Sequence, residues 1–234
     1  MSNKLLISGC GITFAGERKT WSHIARAIGV KIIDVSGPAI SNQTIINEIV
    51  EGIIKHSPTH VICQLTSIGK LDIGIENDLQ IQELVIPDTI RNFTWNGIWP
   101  SSVSDEHISK QHYYKWLYSE RYETRTLANQ LMMLENFCIS RGILLKVVQG
   151  YNINWNLAPA FNLTSLNKSF IIYENYKSGE YYKYHNFSNK NTVPNILYQC
   201  VLTGIILDMI GFEYNKIKLS NIFKKYDDVK DNMQ

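Results

Sequence analysis

Short apolar runs alternate with segments whose apolar residues recur at helical spacing, and this alternation constrains the fold more than any other feature of the chain. The runs with strand character cover residues 4–8, 32–35, 60–65 and 143–148. Strands joined through helices run parallel, because a parallel crossover needs a dozen or more residues and is almost always right-handed. A parallel sheet is covered by helices on both faces. The sequence therefore predicts an α/β fold, a three-layer α/β/α sandwich with a mainly parallel sheet.

Residues typical of helix ends support this interpretation. A first helix starts at Trp21 and is followed by Gly29, a residue favoured just beyond helix C-termini. Ser41 is a candidate N-cap for a second helix with an isoleucine-rich face. A long helix is predicted around residues 127–138, and a last helix runs from about 194 to 210, where a glycine again follows.

The organisation predicted from these elements is one domain over residues 1–214. It carries an aromatic-rich insertion at about 68–125 and is followed by a charged C-terminal tail at 215–234, which we expect to be frayed. An insertion near strand ends is typical of a lid or a partner surface, although the same aromatic residues would also suit a satellite core. A second irregular stretch, residues 151–191, contains one β-like run at 170–173.

The charge balance and the apolar stretches exclude several classes of partner. The 23 Lys and Arg residues are matched by 21 Asp and Glu residues, a net charge of +2. Sequence-independent phosphate binding requires a basic excess, so nucleic acid is not an expected partner. The longest apolar runs fall far short of the roughly 20 residues that cross a bilayer, and the N-terminal residues lack the apolar region of a secretion signal. We expect a cytoplasmic protein without membrane contact, or a virion component if the source is viral.

Cysteine and histidine spacing predicts neither a disulfide nor a metal site. The four cysteines show no CxxC spacing and are expected to be reduced and buried. His107 and His112 lie beside two acidic residues, but their spacing would not place both on one helical face. No metal and no other cofactor is expected.

The ends of the predicted strands carry glycine and small polar residues. Residues 9–13 follow the first strand, residues 37–42 follow the second, and residues 64–67 end the third. In open α/β sheets the ligand crevice lies at the carboxyl ends of the strands. These three blocks are therefore the candidate site.

The blocks and their order resemble the SGNH/GDSL hydrolase superfamily, whose first block is a strand followed by Gly-Asp-Ser-x-Thr. The resemblance is closer to the branch that has Ser-Gly-Cys-Ser-Phe-Thr, a helix beginning with Trp, a Pro-Gly-Ala-Ser-Asn block and a Gln-x-Thr-Ser block. The matching positions are Ser8-Gly9-Cys10, Thr13, Trp21, Ser41-Asn42 and Gln64-Leu65-Thr66-Ser67. The resemblance covers residues 4–70 well and 125–211 in outline. It implies a flavodoxin-like five-stranded sheet in the order 2-1-3-4-5.

The resemblance also implies where the catalytic groups would lie, and this chain has other residues there. The nucleophilic serine of the family falls on Gly11, which has no side chain, and the aspartate and histidine fall on Asn191 and Val193. The glycine that lends an N–H to the oxyanion hole falls on Ala39, which keeps its N–H. The attacking hydroxyl must be deprotonated by an imidazole that a carboxylate orients. We therefore expect no ordinary ester hydrolysis.

Three functions fit these residues. The leading hypothesis is a non-catalytic binding or interaction module whose neutral crevice takes a glycan or another uncharged polyhydroxyl ligand. Its lining would be Cys10, Gly11, Thr13, Ala39, Asn42, Gln64, Thr66 and Ser67. The same groups would alternatively satisfy one another's hydrogen bonds.

The second hypothesis is an active esterase, or an enzyme that modifies acyl groups or glycans, with an altered nucleophile. It would use Cys10 or Thr13 with His185 as the base. The third is a structural component of a virion or other assembly, with protein partners bound through the 68–125 insertion.

Overall fold

The computed structural model describes residues 3–10, 13, 20–37, 40–74, 95–98, 116–172 and 196–231. Its strands are β1 (Leu5–Ser8), β2 (Ile32–Asp34), β3 (His60–Leu65), β4 (Leu71–Gly74), β5 (Trp95–Ile98), β6 (Leu144–Gln149) and β7 (Leu166–Ile171). Its helices are α1 (Trp21–Ala27), α2 (Asn42–His56), α3 (Glu120–Ile139), α4 (Ile196–Met209) and α5 (Lys216–Asp231), with a 3-10 turn at Trp155–Leu157.

The five strands of the main sheet lie in the order β2-β1-β3-β6-β7, and all four pairings are parallel. Leu5 of β1 is in register with Ile32 on one side and His60 on the other, and His60 is in register with Leu144. This order confirms the flavodoxin-like arrangement implied by the resemblance. It places the carboxyl ends of β1 and β3 side by side at one edge of the sheet.

Two apolar clusters lie on the two faces of the sheet and confirm the three layers. Leu6 and Val61 face the cluster formed with α2 and α3. Leu5 and Ile7 point the other way, into the cluster formed with α1 and α4, which includes the fully buried Trp21. Successive strand residues point to opposite faces, so β1 is apolar throughout because both faces are covered.

The predicted helix ends agree with the structure. Ser41 caps α2, because its side chain accepts from the amide of Thr44 at 3.3 Å. Gly29 follows α1 with φ at +100°, and Gly211 follows α4 with φ at +65°. Both lie in the left-handed region that glycine adopts without steric cost.

Two sequence predictions outside the sheet centre are corrected by the structure, one in its bounds and one in kind. The strand predicted at 170–173 begins earlier, at Leu166, and its pairing with β6 is interrupted by a register shift. The tail that was expected to be frayed forms α5, in which Leu219 and Ile222 pack against the α1–α4 cluster. Charged residues dominate α5, but two apolar residues three positions apart are enough to hold one face of it against the core.

Part of the insertion has regular structure. β4 and β5 pair antiparallel as a two-stranded sheet, with Leu71 in register with Ile98. Residues 75–94 and 99–115 of the insertion lie outside the described residues. Within the described ranges, no helix has the length and apolar character needed to cross a membrane.

Candidate functional site

The turn after β1 directs Cys10 into the protein core. The amide of Thr13 donates to the carbonyl oxygen of Cys10 at 2.8 Å, which closes the turn. Cys10 is 2% exposed and packs in the α2–α3 cluster. Gly11, the position that matches the family nucleophile, lies outside the described residues. The thiol next to it is therefore a packing group.

A buried amide, Gln64, joins the ends of β1 and β3. Its side chain is fully buried, and its Oε1 accepts a hydrogen bond from Thr13 Oγ1. Its Nε2 donates to the carbonyl oxygen of Leu65 at 3.4 Å and lies 3.8 Å from Cys10 Sγ. A buried polar group without partners costs about 1–3 kcal/mol, so these contacts are what allow a glutamine to occupy this position.

Two glycines make room for the Gln64 side chain. A Cβ added at Gly9 would lie 2.6 Å from Thr13 Oγ1 and 3.0 Å from Gln64 Oε1. A Cβ added at Gly150, which follows β6, would lie 2.8 Å from Gln64 Nε2 and 2.5 Å from the carbonyl oxygen of Leu65. Real Cβ contacts are essentially never this short, so both positions require glycine while Gln64 stays in place.

The same polar network attaches α1 to the strand end. Trp21 Nε1 donates to Thr13 Oγ1 at 3.3 Å, so the Thr13 hydroxyl both donates and accepts. The Thr13 carbonyl accepts from the hydroxyls of Thr20 at 2.8 Å and Ser22 at 3.3 Å. The amide of Trp21 donates in turn to Gln199 Oε1 of α4 at 2.9 Å. Thr13 is thus held on both its hydroxyl and its carbonyl.

A second polar contact joins the start of α2 to the end of β3. The amide of Thr66 donates to Asn42 Oδ1 at 2.8 Å. Asn42 Nδ2 donates to the carbonyl oxygens of Thr66 at 3.3 Å and Ser67 at 3.5 Å. The Asn42 side chain therefore satisfies the backbone where β3 ends, and most of its hydrogen-bonding capacity is used there.

Two buried hydroxyl groups lie at this strand end. Thr66 Oγ1 and Ser67 Oγ are buried, and neither has a hydrogen-bond partner among the described residues. The ring of Tyr118 lies against Gly69, two residues after Ser67. A Cβ added at Gly69 would fall 2.7 Å from Tyr118 Cε2. The end of β3 therefore combines unpaired hydroxyls with an aromatic ring from the last part of the insertion.

Hydroxyl–imidazole contacts occur at two places in the described residues, and neither makes an exposed nucleophile. Thr20 Oγ1 lies 3.1 Å from His23 Nδ1, but Thr20 is fully buried and donates to Thr13. Thr59 Oγ1 lies 2.8 Å from His60 Nδ1 at the start of β3, the opposite end of the strand from the crevice. Burial lowers the pKa of His60, because it disfavours the charged imidazolium.

The four thiols are free and buried, as expected from their spacing. Burial raises the pKa of Cys63, and it raises the pKa of Cys138 and of Cys200 to about 11. The thiolate is the nucleophilic form of cysteine, so Cys63, Cys138 and Cys200 stay in the unreactive thiol form at neutral pH.

The structure brings together part of the predicted lining. Thr13 and Gln64 are bonded to each other beside Cys10, while Asn42, Thr66 and Ser67 form the neighbouring group. Ligand binding by these residues stays a prediction. The other predicted positions, Gly11, Ala39, His185, Asn191 and Val193, lie outside the described residues.

Sequence reasoning did not include Trp21 and Gly150 in the site. Gly150 lies two residues beyond a predicted strand, close to the position that Gly9 has after the first strand, and that similarity is the signal that would have pointed to it. His107 and His112, the pair considered for a metal site, lie outside the described ranges. Within those ranges, no group of three or more His, Cys, Asp or Glu side chains is arranged to hold a metal ion.

The sheet order and the layers define the class of protein, a flavodoxin-like α/β/α sandwich. No protein-family model matches the sequence, and no curated protein is similar to it in sequence. Solved structures are similar in fold. The psychrotrophic esterase EstA from Pseudoalteromonas sp. matches with a TM-score of 0.50 and 11% identity over 90% of this chain and 97% of EstA.

A catalytic mutant of Axe2, an acetylxylan esterase from Geobacillus stearothermophilus, matches with a TM-score of 0.50 and 13% identity over 90% of this chain and 95% of Axe2. Identities this low show the fold alone. The resemblance to the SGNH/GDSL hydrolases is confirmed at the level of fold.

Proposed function

We propose that this chain is an SGNH-hydrolase-like protein that binds a neutral polar ligand at the carboxyl ends of its strands and does not hydrolyse it. The main support for the proposal is the burial and hydrogen bonding of the Thr13 hydroxyl. Its hydroxyl is fully buried, donates to Gln64 and accepts from Trp21. The described hydroxyl nearest the nucleophile position is therefore a structural group.

The other candidate nucleophile is no better placed. Cys10 is 2% exposed and lies in the apolar cluster beneath the sheet. An attacking group must reach the substrate and must have a base within hydrogen-bond distance. Gly11 supplies no attacking atom, Cys10 is committed to packing, and Thr13 is committed to the polar network.

The ligand class follows from what remains available. The unpaired hydroxyls of Thr66 and Ser67 can donate and accept, and Tyr118 adds an aromatic ring beside Gly69. Hydroxyl groups with an aromatic ring suit a sugar or another uncharged polyhydroxyl molecule, which hydrogen-bonds at its edges and packs its face on a ring. The fold similarity to Axe2, named as an acetylxylan esterase, adds support for a carbohydrate ligand.

Hydrolysis of p-nitrophenyl acetate by the full chain tests the loss of activity. We expect no turnover above that of a Gly11→Ala variant, and we expect His185→Ala to leave this background unchanged. Turnover that His185→Ala abolishes would replace the proposal with an esterase that uses an altered constellation.

Calorimetric titration with neutral xylo-oligosaccharides tests the binding site. Thr66→Val removes one available hydroxyl at constant shape and should weaken binding. Ser165→Ala is the matched control, because the Ser165 hydroxyl is also buried without a described partner but lies beside β7. Equal affinity of the wild type and Thr66→Val would contradict this placement of the site.

A protein partner bound through the insertion is a second candidate function. Trp116 and Leu117, at the end of the insertion, are 70% and 75% exposed. Adjacent exposed apolar side chains of this size are typical of interaction surfaces. Light scattering coupled to size exclusion should then show an assembly that Trp116→Ser and Leu117→Ser together dissociate, whereas a monomeric wild type would speak against it.

A further inference from the structure

A cavity of about 590 Å³ lies beside β7, away from the crevice at the ends of β1 and β3. It is bounded by Lys146 of β6, by the segment 162–169 that leads into β7, and by Met209 at the end of α4. A second cavity of about 340 Å³ adjoins it and shares Lys146, Thr164 and Ser165. The larger volume falls within the range of small-molecule sites, roughly 300–1,000 Å³.

The larger cavity has a positive lining. Lys146 and Lys168 both contribute to it, and none of the described residues that line it is acidic. Neither lysine takes part in the ion pairs found among the described residues, which join Arg26 to Asp34 and Lys216 to Asp208. Lys168 Nζ lies 5.6 Å from the centroid of the Phe161 ring, a contact that leaves its charge unneutralised. The two ammonium groups therefore give the lining itself a positive charge.

The one acidic residue among the described residues that line the adjoining cavity already has hydrogen-bond donors. Glu135 lines the smaller cavity, and its Oε1 accepts from Thr164 Oγ1 at 2.7 Å and from the amide of Ser165 at 2.8 Å. These donors hold the carboxylate against the start of β7. Glu135 therefore bonds the backbone amide of Ser165 but not its hydroxyl.

Ser165 supplies the second, independent sign of a ligand. The residue is 6% exposed, it lines both cavities, and its Oγ has no hydrogen-bond partner among the described residues. A buried hydroxyl without a partner costs free energy, so native proteins rarely keep one unless something else binds it.

The end of α4 does not explain the position of Lys146. A cation near a helix C-terminus commonly serves the last carbonyl groups. Here the amides of Gly211 and Phe212 donate to the carbonyls of Asp208 at 3.1 Å and Leu207 at 3.0 Å. Those carbonyls are satisfied by the backbone, and the ammonium group of Lys146 is not needed for them.

We propose that this cavity binds the phosphate group of a small molecule, with Lys146, Lys168 and Ser165 as its donors. Lysine binds phosphate as a point charge, and a third donor, a hydroxyl, suits the several oxygens of a tetrahedral anion. The site is independent of the proposed crevice ligand, because its residues belong to β6, β7 and the segment between them.

Titration of the full chain with inorganic phosphate at constant ionic strength tests the proposal, with chloride and acetate as the reference anions. We expect saturable binding of phosphate, and binding about tenfold or more weaker in Lys146→Gln, as the loss of a charge-assisted contact requires. Lys31→Gln is the matched control, because Lys31 is exposed and lines neither cavity. The absence of phosphate binding, equal binding of acetate, or an equal loss in Lys31→Gln would overturn the site.

A second variant separates a binding role of Ser165 from a structural one. Ser165→Ala should leave the midpoint of thermal unfolding of the free protein unchanged or raise it, since it removes an unpaired buried hydroxyl. The same variant should weaken phosphate binding several-fold. A lowered midpoint together with unchanged phosphate affinity would assign the hydroxyl to the fold and contradict the proposal.

Discussion

The substitution Thr13→Val isolates the polar contact that joins β1, β3 and α1. Valine keeps the shape of threonine and removes only the hydroxyl group. That hydroxyl donates to Gln64 Oε1 and accepts from Trp21 Nε1. All three residues are fully buried, so no water replaces the missing partner. The substitution therefore leaves one buried acceptor and one buried donor unsatisfied.

The magnitude follows from those two groups. Each buried polar group that loses its partner costs about 1–3 kcal/mol, so Thr13→Val should lower the free energy of unfolding by about 2–6 kcal/mol. The double variant Thr13→Val with Gln64→Leu removes the acceptor as well as the hydroxyl. It should be less destabilised than the sum of the two single variants, because partners removed together leave fewer orphaned groups.

Equilibrium unfolding in urea, followed by far-ultraviolet circular dichroism, measures these differences. The control is Thr66→Val, the same substitution at another fully buried threonine near the end of β3, whose hydroxyl has no partner among the described residues. It should leave the free energy of unfolding unchanged or raise it, because it removes a buried hydroxyl that has no partner among the described residues. Equal effects of Thr13→Val and Thr66→Val would refute the network.

Three further predictions test other parts of the structure. Cys138 and Cys200, whose pKa values are raised to about 11, should not react with a disulfide reagent at pH 8 until the protein is unfolded. His60 has a lowered pKa, so as the pH falls through about 6.5 the unfolded chain binds a proton that the native state does not bind, and the native state loses stability. This loss should be smaller in His60→Gln. Urea unfolding at a series of pH values measures the difference. Gly150→Ala places a Cβ 2.5 Å from the carbonyl oxygen of Leu65 and should lower the thermal midpoint, whereas an unchanged midpoint would show that the backbone there yields easily.

The sheet was predictable because its signals are local. Each strand of the centre is a short apolar run that ends at glycine or small polar residues, and each helix has a cap or a terminal glycine in sequence. The edge strand β7 was less accessible, because Lys168 and Ser169 interrupt its apolar pattern and its pairing with β6 contains a register shift. There the side-chain Nε2 of Gln149 donates to the carbonyl oxygen of Lys168 at 2.9 Å, a contact between segments that no local pattern reveals.

The site was predictable in its location and not in its contacts. In this class of sheet, ligands bind at the carboxyl ends of the strands. Gln64 and Thr66 could therefore be chosen as site candidates from their positions alone. Which of them bonds to Thr13 and which keeps a free hydroxyl depends on distances between separate strands. Trp21 belongs to the network through an indole N–H that reaches across from α1, and a helical apolar pattern gives no sign of that.

The measurement that tests the central claim most directly is the intact mass of the full chain after incubation with a serine-directed fluorophosphonate. An SGNH-like fold with a bare glycine at the nucleophile position and a buried Thr13 should gain no adduct, at the same exposure that labels an active esterase completely. A stoichiometric adduct on any hydroxyl or thiol of the folded chain would contradict the account and show that catalysis has moved to another residue.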